Sequence, residues 1–233
     1  MARRPREWYE NACYHIMGRG NRRAAIFKSD EDNIVFLMQL AQVKEKHPFD
    51  LHACCLMTNH FHLELTTKNE PIWKIMKPLM QNYAMWFNQR YGYVGHVFDS
   101  RYTSCLIEDD RYFLEVSRYI HLNPVKAQMV REPLAYEYSS YGLFVGNDVE
   151  SSSAPGNKTG MPTKVSDTLK ALIVTDRVLS CFRNNPREQY RMFVEGKISH
   201  AEQEMLIQKN MKEDTMKVII LDLLVLLCVL EYG

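Results

Sequence analysis

The sequence predicts an α+β domain of ferredoxin-like (RRM-like) type, an antiparallel sheet packed with helices, followed by a small C-terminal helical appendage. Three observations carry this. Strand-like segments with period-two alternation or unbroken apolar runs begin at Cys13, Leu51, His60 and Thr103. Segments with apolar residues at helical spacing run from about 30 to 46, 71 to 90 and onward from Asp110. The order strand–helix–strand–strand–helix–strand–helix is the one this fold uses.

Each element has a local reason. Cys13 to Met17 alternates as a strand and ends at Gly18-Arg19-Gly20-Asn21-Arg22, where glycines permit a tight backbone, expected to lie close to a ligand. Ser29 or Asp30 can cap a helix to about Lys46 whose stripe is Ile34, Leu37, Leu40, Ala41 and Val43, and His47-Pro48 stops it. Leu51 to Met57 and His60 to Thr67 make two strands joined through Thr58-Asn59. Pro71 opens an amphipathic stretch to Arg90, with Trp73, Met76, Met80, Tyr83 and Phe87 as its apolar side. Pro78 falls inside it and predicts either a kink or a later helix start. Tyr93 to Phe98 and Thr103 to Ile107 bracket Asp99-Ser100-Arg101-Tyr102, giving a hairpin or a turn into an additional strand, and Asp109-Asp110 caps the helix carrying Tyr112, Phe113, Val116, Tyr119 and Ile120.

Residues 1–145 therefore form the first domain. Residues 146–164 are rich in Ser, Gly, Pro and Asn and read as a linker. Residues 165–233 return to helical spacing, with a capping box at Ser199-His200-Ala201-Glu202. Val218 to Leu230 is nearly all apolar but shorter than the ~20 residues a membrane span needs, so no membrane is expected.

Composition narrows the class. The hydrophobic fraction is 46% and the charged fraction 24%, as in soluble globular proteins. Net charge is only +1, yet residues 1–23 hold six arginines (Arg3, Arg4, Arg6, Arg19, Arg22, Arg23) against Glu7 and Glu10, a local excess of +4. Such a cluster suits phosphate contacts or a solvated arm. The six cysteines show no metal-knuckle spacing, which points to reduced thiols. The first residues lack the apolar core of a signal peptide, so the cytoplasm is the expected compartment.

The chemistry concentrates in Leu56-Met57-Thr58-Asn59-His60-Phe61-His62-Leu63-Glu64-Leu65-Thr66-Thr67. Period two puts His60, His62, Glu64 and Thr66 on one face and Phe61, Leu63 and Leu65 on the other. Two neighbouring imidazoles can hold a divalent ion.

With Ser117-Arg118-Tyr119-Ile120-His121-Leu122-Asn123-Pro124-Val125-Lys126, this stretch resembles the HUH single-tyrosine transposases, specifically the REP-associated tyrosine transposase branch. The matching segments are Gly18 to Arg22, Asn59-His60-Phe61-His62, Gly95 to Tyr102 and Tyr119 to Val125. The resemblance implies a metal-dependent single-stranded DNA endonuclease and strand transferase acting at hairpin repeats through a 5′-phosphotyrosine. It implies Tyr119 as nucleophile, His60 and His62 as metal ligands, and Mg²⁺ or Mn²⁺ as cofactor. Asn123, one helical turn from Tyr119 if the helix continues through the residue before Pro124, is implied as the third ligand, with Glu64 as the competing assignment. Arg19, Arg22, Arg23, Arg101, Arg118 and Lys126 are the candidate phosphate contacts. The expected partner is single-stranded or hairpin DNA, bound by a monomer or homodimer. A non-catalytic DNA-binding relative and a replication-initiator or relaxase-type nuclease are the alternatives.

Overall fold

A computed structural model describes residues 7–146 and 165–196. The C-terminal capping box, the apolar tail and nearly all of the linker lie outside the described residues, as do Arg3, Arg4 and Arg6. The chain divides into two units, Met1–Val194 and Glu195–Gly233. Only Glu195 and Gly196 of the second are described.

The sheet has four strands: β1 (Cys13–Arg19), β2 (Phe49–Met57), β3 (His60–Thr67) and β4 (Thr103–Ile107), in the order β2-β3-β1-β4. All three pairings are antiparallel. Helices α1 (Asp30–Lys46) and α2 (Ile72–Tyr91) complete the ferredoxin-like pattern, and α3 (Asp110–Lys126) follows β4. Beyond it come α4 (Tyr141–Val145), α5 (Val165–Leu172), α6 (Asp176–Leu179) and α7 (Pro186–Glu195).

Both faces of the sheet are buried. Phe61, Leu63 and Leu65 of β3 pack with Phe36, Leu37 and Leu40 of α1 and with Ile75, Leu79 and Tyr83 of α2. Leu169 and Leu172 of α5 join that core. Cys54 and Cys55 divide between the faces as strand alternation requires: Cys54 joins this core and Cys55 the opposite one. The second core gathers Phe113, Val116 and Ile120 of α3, Tyr141 and Phe144 of α4, and Tyr190 and Val194 of α7. The histidine face is thus roofed by helices, which the alternation of β3 alone does not reveal.

Local rules explain the helix starts. Asp32 accepts from the Ser29 backbone N–H at 2.9 Å, closing the first turn of α1. Asp109 accepts from the Tyr112 N–H at 2.7 Å and starts α3. Gly92, with φ +56°, ends α2 in the left-handed conformation that glycine adopts at least cost.

Three expectations need correction. Pro78 neither kinks α2 into two helices nor delays its start, since α2 is one 20-residue helix with the proline near its beginning. Trp73 is 47% exposed, and Ile72 and Ile75 take the buried positions of that turn. Tyr93 to Phe98 is not a strand; a single bridge links Phe98 to Gly20. The close approaches that demand glycine are also internal. A Cβ on Gly18 would lie 2.5 Å from Phe61 Cζ, and one on Gly20 would lie 2.1 Å from the Ala24 carbonyl oxygen.

Candidate active site

Thr58 and Asn59 link β2 to β3, so His60 is the first residue of β3. Register places His60 opposite Arg19 and Met57, and His62 opposite Met17 and Cys55. The two imidazoles lie 5.0 Å apart, ring centroid to centroid, and nearly perpendicular at 87°. The Asn59 side chain is held at both ends. Its Nδ2 donates to the Arg23 carbonyl at 3.2 Å, and its Oδ1 lies 2.7 Å from His60 Nδ1. An amide oxygen only accepts, so the His60 proton sits on Nδ1 and the Nε2 lone pair is left free.

α3 crosses this face and brings Tyr119 to the histidines. Its ring stands edge-on to His62, with 5.5 Å between centroids and 90° between planes. It meets His15 of β1 in the same way, at 5.8 Å and 74°. Lys126 Nζ lies 4.9 Å from the centre of the Tyr119 ring. Asn123 stays helical despite the following Pro124, because Ala127 N–H still donates to its carbonyl at 2.9 Å. The 3.6-residue period therefore puts Asn123 beside Tyr119, where its amide lies next to His60 and favours the protonated imidazole. Asn123 Nδ2 is buried without a hydrogen-bond partner among the described residues.

Burial keeps the imidazoles neutral. It pushes His60 down to about 4, with the neighbouring Asn123 amide opposing the shift and the Arg19 charge adding to it. His62 falls well below its usual 6.5 through burial and then through the neighbouring His60 and His15. Burial alone lowers His15 to about 4. Neutral imidazole is the ligand form, so two neutral imidazoles beside an amide fit a divalent cation.

Glu64 is fully buried further along β3, and neither carboxyl oxygen has a hydrogen-bond partner among the described residues. Burial raises its pKa well above 4.5, against the lowering effect of Arg177. Among the described residues no three His, Cys, Asp or Glu side chains converge so as to hold a metal ion.

The basic residues separate into groups. Arg19 is tied to Asp99 through Nε and Nη2, both at 3.2 Å. Arg22 and Arg23 are exposed and carry positive φ, 52° and 59°. They flank the site, since the Arg23 carbonyl is what holds Asn59. Arg101 is exposed at the loop before β4. Arg118 turns the other way, with its guanidinium 5.3 Å from the centre of the Phe193 ring in α7 and 3.7 Å from Glu115. Sequence reading missed His15. Its alternation with Cys13 and Met17 marked a face, but its nearness to His62 follows from the β1–β3 register.

Residues 9–123 match the sequence model of a family described as IS200-like transposase. Among solved structures, one described as the REP-associated tyrosine transposase bound to a REP hairpin aligns with a TM-score of 0.53 at 17% identity. It covers 70% of this chain and 97% of that one. The structure of a candidate transposase from Deinococcus radiodurans R1 aligns at TM-score 0.37 and 17% identity, over 51% of this chain and 95% of that one. The first alignment shows the shared fold. No curated protein sequence matches the chain.

Proposed function

Through residues 9–123 the chain belongs to the IS200-like transposase family, and on that premise we propose that it is a metal-dependent endonuclease and strand transferase for single-stranded DNA beside hairpin repeats. The observation that carries this is Tyr119 standing edge-on to His62 at 5.5 Å, with Asn123 one turn along α3 and next to His60. Nucleophile and candidate ligands thus come from two rigid elements. The hairpin part of the reading draws on the REP hairpin named for the solved relative.

In the proposed reaction Tyr119 Oη attacks phosphorus. An Oη–P ester forms as the P–O3′ bond breaks, leaving a 5′-phosphotyrosine and a free strand end. The phenol gives up its proton to solvent, and the departing 3′-oxygen takes one up. Reversal on a second strand transfers the DNA without consuming nucleotide energy. A phenol with a pKa near ~10 is a weak nucleophile at neutral pH, and positive charge at the phosphate would have to compensate for this. His60 Nε2, His62 Nε2 and Asn123 Oδ1 are the donors that would hold Mg²⁺ or Mn²⁺. Bound there, the ion supplies positive charge that polarises the scissile phosphate. Glu64 is the weaker third donor, because burial disfavours its charged form. Exposed Arg22, Arg23 and Arg101 would contact phosphates of the incoming strand. Arg118 serves α7 instead.

The test is incubation of the protein and Mn²⁺ with labelled single-stranded hairpin repeats from the DNA flanking its own gene. A covalent protein–DNA adduct on a denaturing gel is expected. Its absence with every such hairpin overturns the reading.

A further inference from the structure

His15 Nε2 lies 3.0 Å from His62 Nδ1. The two rings are inclined by only 20°, with centroids 5.2 Å apart. That separation is what two imidazoles lying end to end through a 3.0 Å N···N contact require, because each ring nitrogen sits about a bond length from its own centroid. The contact is therefore an in-plane hydrogen bond aimed along a lone pair, and not a face-to-face stack.

One of the two nitrogens must donate and the other accept. The counterpart at His60 is fixed, since Asn59 Oδ1 is pinned by its own amide and accepts from Nδ1–H. We propose that His15 is a positioning residue that does for His62 what Asn59 does for His60. It accepts from His62 Nδ1–H, so that Nε2 of both strand histidines presents its lone pair to a divalent cation. This rests on the functional reading above. It also gives His15 a bounded role: with Nε2 engaged by His62, that nitrogen is not the proton acceptor for Tyr119, although the two rings touch.

An outer partner that fixes a ligand's tautomer is worth about 10–100-fold in metal affinity. The test uses the full chain in two measurements. Long-range ¹H–¹⁵N spectra of the metal-free protein read each tautomer directly, and His15, His60 and His62 should all carry the proton on Nδ1. Mn²⁺ titration followed by electron paramagnetic resonance should show His15→Leu binding about 10–100-fold more weakly. His15→Gln places an amide oxygen near the lost Nε2 and should recover most of that affinity, which a purely space-filling role does not predict. A proton on His62 Nε2 overturns the proposal, as does unchanged Mn²⁺ affinity in a folded His15→Leu protein. A wild-type chain that binds no Mn²⁺ refutes the functional reading instead, and the tautomer spectra still decide the role of His15.

Discussion

The buried ring of His121 is bonded on both sides, its Nδ1 2.7 Å from Tyr190 Oη and its Nε2 2.8 Å from Ser140 Oγ. Tyr190 Oη also meets Ser117 Oγ at 2.7 Å. His121 and Ser117 are in α3, two residues either side of Tyr119, while Tyr190 is in α7. The helix that presents the proposed nucleophile is thereby fastened to the C-terminal part of the chain.

Tyr190→Phe should therefore destabilise the protein by ~1–3 kcal/mol, because one lost hydroxyl leaves two buried partners unsatisfied. Urea denaturation measures it, and adduct formation should fall as well. A change within error on both counts would show that α7 is not a support for the site.

Acid should weaken the fold in a defined window. Burial lowers His52 to about 4 and His121 to about 3, from an unfolded value of 6.5. The unfolded chain takes up protons first as pH falls. The stability these neutral histidines contribute is full above pH 6.5 and is lost towards pH 4 and 3. Each contributes at most ~1.4 kcal/mol per pH unit. Denaturation between pH 6.5 and 5, above the carboxylate range, should show this slope, and His52→Gln should make it shallower.

Glu64 has the opposite sign. Burial raises its folded pKa above 4.5, so its contribution is present at low pH and is lost as pH rises. Glu64→Gln should be more stable than wild type at pH 7, because burial penalises the charged carboxylate. That advantage should shrink towards pH 4.5. Equal differences at both pH values would mean the carboxyl is not penalised by burial.

Asn123→Ala and Glu64→Gln separate the third-ligand assignments. Asn123→Ala should lower the cleavage rate and be partly rescued by high Mn²⁺, whereas Glu64→Gln should keep its metal dependence. The reverse pattern in a metal titration assigns the role to Glu64.

Tyr119→Phe deletes one oxygen at almost constant volume. It should keep its melting temperature and hairpin affinity while losing the covalent adduct at every metal concentration. Persistence of the adduct would assign the nucleophile to another tyrosine.

The sheet and its helices were legible because strand alternation, apolar spacing and the caps at Ser29 and Asp109 are local properties of the chain. The pairing of His60 with His62 on one face was legible for the same reason, since a strand repeats every two residues. So was the spacing of Tyr119 and Asn123, although Pro124 left open whether α3 continues through it. The partners of the histidine pair were decided by tertiary structure. His15 reaches His62 through antiparallel register, and Tyr119 reaches both because α3 packs over that face. Arg118 and Lys126 are close in sequence, yet one faces Phe193 and the other Tyr119. The roof of α3, α4 and α7 over the histidine face was hidden too. Contacts between Ser117 or His121 and Tyr190 span about seventy residues, and no periodic signal within one segment encodes a partner so far along the chain.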